Sequence, residues 1–133
     1  MKMKIIAALS LAAALTGSVF AQDWYHDRDS RYQGDNWRPQ VFLQVRSDLD
    51  HIGFPPSASE KEDNRLSRTK EELTKMQADL DQGRFDNGIL NDVIDSIKKS
   101  ANDDRLPPRD RAVLNDDLMR LHDYQVNHNH WKH

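Results

Sequence analysis

From Pro39 to Val126, apolar residues return at steps of three and four, and the pattern breaks only at glycine or proline. An α-helix gathers such positions on one face. A half-buried strand needs strict alternation, and no run of this chain alternates. The periodicity therefore confines the chain to helices packed on helices. The first predicted helix covers Pro39–Ile52, with Phe42, Val45, Leu49 and Ile52 on its stripe and proline in its first turn. Gly53 and Phe54-Pro55-Pro56 stop it. The second starts near Ser57 or Ser59 and runs to about Gln82. Leu66, Leu73, Met76 and Leu80 form a narrow stripe completed by Thr69, and Gly83 ends it. A turn over Arg84–Gly88 follows, with Phe85 placed to close the core. The third helix, Asn87–Ala101, has the widest apolar face: Ile89, Leu90, Val93, Ile94 and Ile97. The fourth begins at Pro107 or Pro108 and reaches about Val126 on Val113, Leu114, Leu118, Leu121 and Tyr124.

Short polar connections between helices favour antiparallel neighbours. The expected fold is all-α, a small antiparallel bundle of three to four helices with disordered N- and C-terminal arms. Four segments result: a signal peptide at 1–21, a polar aromatic arm at 22–38, the helical domain at 39–126 and a His-rich tail at 127–133. The arm carries Trp24, Tyr25, Tyr32 and Trp37 among polar and charged residues and shows no period, which argues for disorder. Aromatic rings beside arginine can stack on a ligand face or on a sugar. They can equally pack onto the helical body.

The leader sets the compartment. Lys2 and Lys4 precede an apolar stretch from Ile5 to Leu15, and Val19-Phe20-Ala21 offers small residues at a cleavage site. The stretch falls short of the ~20 residues a spanning helix needs. The expected location is the bacterial periplasm or exterior, with no membrane span after cleavage. There is no cysteine, so packing alone must stabilise the fold and thiol chemistry is excluded.

Past residue 21 the chain has 17 basic and 22 acidic side chains, a net charge of −5. That balance argues against nucleic acid, whose phosphates call for clustered Lys and Arg. Over Pro39–Val126, Leu, Ile, Val and Phe supply 22 of 88 residues, enough for one modest core.

Site chemistry is sparse. There is no H-E-x-x-H, G-x-S-x-G, P-loop or G-x-G-x-x-G motif, so no enzyme activity is expected. His51, beside Asp50, suits a helix end better than a general base. The acidic stretches at Asp79–Gly83 and Asn102–Asp104 lack the ligand spacing of an EF-hand. The tail holds His128, His130 and His133, with His122 upstream. Imidazole is a common ligand for Zn and Cu, so these four are the candidate metal ligands; the other reading is a solvated tail.

Residues 73–77 read LTKMQ, which resembles the L-T-x-x-Q motif of small helical periplasmic chaperones and metal-stress proteins of the Spy and CpxP type. The leader, size and His-bearing tail are similar as well. In that family the motif normally opens a helix with Thr near the cap. Here it falls inside a predicted helix, with Leu73 and Met76 on the core stripe. The resemblance implies an envelope-stress role.

The function expected is a non-catalytic binding or interaction module of the cell envelope, linked to stress. Its partner is an unknown protein or a second copy of the chain, since narrow stripes such as Leu66 to Leu80 often find a partner helix. The alternative is a weak buffer or sensor of Zn, Cu or Ni using the tail. An enzyme of unrecognised kind is the remaining reading.

Overall fold

The computed structural model describes residues 24–52 and 60–130. The leader, the Ser57 and Ser59 start positions, the Gly53–Pro56 stop and His133 lie outside the described residues. Five α-helices are present: α1 (residues 24–31), α2 (Val41–His51), α3 (Glu60–Asp81), α4 (Asn87–Ala101) and α5 (Pro108–Asn127). Short 3-10 turns at Arg38–Gln40 and His128–His130 precede α2 and extend α5. Among the described residues there is no strand, and no helix is long and apolar enough to cross a membrane.

The described chain falls into two compact units, one ending at Trp37 and one beginning at Arg38. In the first, part of the expected arm is helical. Trp24, Arg28 and Tyr32 stand at steps of four, and the Arg28 guanidinium lies 4.5 Å from the centre of the Tyr32 ring. The aliphatic stem of arginine covers apolar surface as a hydrophobic residue would, so the period is hidden when arginine is scored as polar. A turn at Gly34, with φ of 64°, lets Trp37 Nε1 donate to the Gly34 carbonyl at 2.9 Å.

The second unit is a four-helix bundle. Each helix packs on its neighbour in sequence, and α5 returns to α2. Every adjacent pair is antiparallel, as the partners across each seam show. Lys70 of α3 reaches Asp50 at the end of α2 (3.1 Å). Arg65 near the start of α3 reaches Ser96 and Ser100 near the end of α4. Gln125 near the end of α5 donates to Asn87 and Asn91 of α4 at 2.8 and 2.7 Å. Phe42 at the start of α2 meets Tyr124 near the end of α5, edge to face at 4.9 Å.

The core follows the predicted stripes. Phe42, Val45, Leu49 and Ile52 are buried, as are Leu66, Thr69, Leu73 and Met76. Leu90, Val93 and Ile97 form the centre of α4, while Ile89 and Ile94 flank it and are only half-buried. Leu106, in the α4–α5 connection, is buried beneath the end of the bundle. The Thr69 hydroxyl donates to the Arg65 carbonyl (2.9 Å) and also bonds the Ser96 hydroxyl at 2.6 Å, so the α3–α4 seam satisfies its buried polar groups internally.

Candidate functional site

The α3–α4 connection is fixed by hydrogen bonds at both of its ends. The Gly83 N–H donates to the Leu80 carbonyl (2.9 Å) and the Arg84 N–H to the Asp79 carbonyl (2.7 Å). This paired closure is a Schellman motif, and it requires the left-handed φ of 73° that Gly83 adopts. Two residues further on, Asp86 caps α4, its Oδ1 accepting the Ile89 N–H at 3.0 Å. Phe85 is thus held between two fixed points. It does not close the core as expected; it stays 38% exposed at the surface.

Phe85 ends a row of rings that rises out of the core. Phe42 and Tyr124 are buried. The His128 ring stacks on Tyr124 at 4.8 Å with an interplanar angle of 14°, and Phe85 lies 4.5 Å from His128 and 5.5 Å from Tyr124. Phe85, Tyr124 and His128, together with Pro39, Leu80, Asp81 and Arg84, line a cleft of about 700 Å³. The aromatic contacts contribute ~0.5–1.5 kcal/mol each beyond simple burial. Burial pushes the Tyr124 phenol above its usual pKa, so it is a neutral hydroxyl at physiological pH. Arg84, at the mouth, pairs with Asp79 at 3.4 Å and also bonds Gln82. The cleft therefore sets the π faces of Phe85, Tyr124 and His128 and the aliphatic carbon of Pro39 and Leu80 beside a polar edge of Asp81, Arg84 and Asn129.

Of the four predicted metal ligands, the structure describes the side chains of His122 and His128. His122 is exposed on α5. His128 follows it by six residues, which at 100° per residue turns it to a different side of the helix. The side chain of His130 and all of His133 lie outside the described residues. Among the described residues no group of three or more His, Asp or Glu side chains is placed to hold a metal ion. His128 Nδ1 lies 2.9 Å from the Tyr124 carbonyl oxygen. A carbonyl only accepts, so Nδ1 carries the hydrogen of this bond, and in the neutral ring that leaves the lone pair on Nε2.

The LTKMQ residues join α3 to α2. Gln77 is buried, and its Nε2 donates to the Pro39 carbonyl (2.8 Å) and to Asp81 (3.0 Å). Its Oε1 accepts the Leu43 N–H at 3.3 Å. Thr74 Oγ1 donates to the Lys70 carbonyl (3.1 Å) and accepts from Arg46 of α2. Leu73 and Met76 lie in the core, as their stripe required. The sequence did not point to the His128–Phe85 pairing. Its signal was an aromatic residue two positions after a helix-stopping glycine, with a histidine one turn beyond Tyr124.

Comparison with protein-family models, with curated proteins and with solved structures found no match.

Proposed function

We propose that this chain is an exported, non-catalytic interaction module of the cell envelope, and that it holds a partner polypeptide by seating an apolar side chain in the Phe85 cleft. The observation that supports this reading is Phe85 itself. A large hydrophobic side chain is fixed at the surface by a Schellman motif on one side and a helix cap on the other, and it is backed by a row of rings. Exposed aromatic surface in a pre-shaped cleft is the usual foothold for a partner's anchor residue. A role in envelope stress, as the LTKMQ resemblance implies, would make that partner an unfolded client. The test compares wild type with Phe85→Ala in slowing the aggregation of a chemically unfolded client. Wild type should suppress aggregation and the variant should lose most of that effect while keeping its helical circular dichroism. Equal behaviour of the two would sink the cleft reading. Export is checked by mass spectrometry of protein recovered from the cell envelope, whose expected first residue is Gln22.

A second reading rests on a separate observation. An imidazole whose Nδ1–H is anchored to a backbone carbonyl presents Nε2 as an oriented metal ligand. His128 has that geometry, with His130 and His133 close behind in sequence. Calorimetry with Zn²⁺ and Cu²⁺, on the full chain and on a chain ending at Val126, decides it. Equal affinities would exclude the tail.

A further inference from the structure

At the opposite end of the bundle from Phe85, the start of α3, the end of α4 and the α4–α5 connection enclose a groove of about 1170 Å³. Five cations line it. Lys61, Arg65 and Arg68 stand at steps of four and three on one face of α3, with Lys99 on α4 and Arg105 in the connection. Four acids share the rim, so the groove looks neutral by composition. The pairing decides which charges stay available to a ligand.

Arg105 takes up two of the acids. It bonds Glu62 at 2.8 Å and grips both oxygens of Asp103, which also accepts the Arg105 backbone N–H at 2.9 Å. Asp104 turns to Arg111 at 3.5 Å, and Arg68 to Glu72 at 3.7 Å. Among the described residues Lys61, Arg65 and Lys99 form no ion pair, and Glu60 is the one rim acid not engaged by an arginine. Lys61, Arg65 and Lys99 therefore face the groove against Glu60 and the one negative charge that Arg105 leaves over from its two carboxylates, a small positive excess in a chain that is net negative.

Arg65 is also pre-organised. Its guanidinium donates to the Ser96 carbonyl at 2.6 Å and to Ser100 Oγ at 3.2 Å. Both hydrogen-bond partners are uncharged, and Asp103, whose own hydrogen bonds come from Arg105, is the carboxylate that feels the Arg65 charge through space. Two of its five N–H groups are used and three remain. A fixed arginine fork flanked by two flexible ammonium groups matches a tetrahedral, multiply charged oxyanion. Asn64 and Asn102 add amide donors on the same walls.

We propose that this groove binds a phosphate group through Arg65, Lys61 and Lys99, as a site distinct from the Phe85 cleft. The phosphate can be carried by a small free molecule or by an anionic phospholipid headgroup, and the experiment separates the two. Inorganic pyrophosphate is titrated into the full mature chain by calorimetry at low salt. Co-sedimentation is run with phosphatidylglycerol-containing vesicles and with purely zwitterionic vesicles. Wild type should bind pyrophosphate or the anionic vesicles, and binding should weaken steeply with added salt. The double variant Lys61→Gln/Lys99→Gln should weaken it at least tenfold, and Arg65→Gln should do the same. Arg84→Gln, at the other end, should leave it unchanged. Lys61 and Lys99 are exposed, so their variant keeps its fold even if Arg65→Gln does not. Binding of pyrophosphate alone assigns a free ligand, and sedimentation with anionic vesicles alone assigns a headgroup. No binding to either probe, or equal binding by wild type and the double lysine variant, overturns the proposal.

Discussion

The Gln77 side-chain carbonyl accepts the backbone N–H of Leu43, 34 positions earlier, at 3.3 Å. Leu43 lies in the first turn of α2, where no intrahelical acceptor exists, and the preceding Gln40 makes no side-chain cap. A residue near the end of α3 therefore caps α2, and its amide nitrogen holds the Pro39 carbonyl on the way in.

Removing that cap should be costly. Gln77→Ala leaves the part-buried Leu43 N–H and Pro39 carbonyl without their partner, an expected loss of about 1 kcal/mol. Gln77→Leu keeps the bulk and should not rescue it. Urea unfolding of the mature protein measures this as a lower midpoint at an unchanged slope.

Gly83→Ala tests the loop that holds Phe85. A Cβ there meets nothing within 4 Å, so space is not the obstacle. The cost is the left-handed backbone, about 1–2 kcal/mol for an L-residue. Gly83→Asn should recover part of it, since asparagine tolerates that conformation. Thermal unfolding of the three proteins ranks them.

Glu72 should weaken the fold at neutral pH. Burial raises its pKa, and Asp92 adds to the rise while Arg68 and Lys75 oppose it. A carboxyl whose pKa is raised by folding favours the folded state when protonated. That contribution is present below the ordinary value of 4.5 and is lost as pH climbs through the raised one. Glu72→Gln should thus be more stable than wild type at pH 7, by about 0.5 kcal/mol or less. The gap should close below pH 4.5. Denaturant midpoints across pH 3–8, an interval set by ordinary carboxylate titration, show whether the curves converge.

Asp103 has the opposite sign. Hydrogen bonds from the Arg105 side chain and backbone hold its pKa down to about 2. Its contribution is complete above the ordinary value of 3.8 and is lost as pH falls from there toward 2. Asp103→Asn should be less stable than wild type at neutral pH and should approach it at the acid end. Parallel curves over that interval would remove the assignment.

Much of the fold was legible because helix stops in this chain are chemically blunt. A helix over roughly Asn87–Ala101 was readable, since Gly83 and the Asn102–Pro108 connection bracket it and five aliphatic residues mark its face. The burial of Leu73 and Met76 followed from period alone. The partners of Gln77 did not, because a cap supplied by another helix depends on the α2–α3 register. Phe85 was visible as an odd residue in a turn, but its outward setting depends on Tyr124 and His128 arriving from α5. The groove at Arg65 was harder still. Its formal charges nearly cancel in sequence, and only the fold brings Lys61, Arg65 and Lys99 to one groove while Arg105 holds Glu62 and Asp103.

The alternating direction of α2 to α5 has an electrostatic result. Two helices point each way, so their macrodipoles oppose and neither end of the bundle inherits a strong field from its backbone. The contrast between an aromatic end and a cationic end is carried by side chains alone. Each end could then be rewritten, by exchanging Phe85 or the Lys61 and Lys99 pair, while the scaffold between them keeps its structure. In such a bundle, binding preference at one pole can drift without taxing the other.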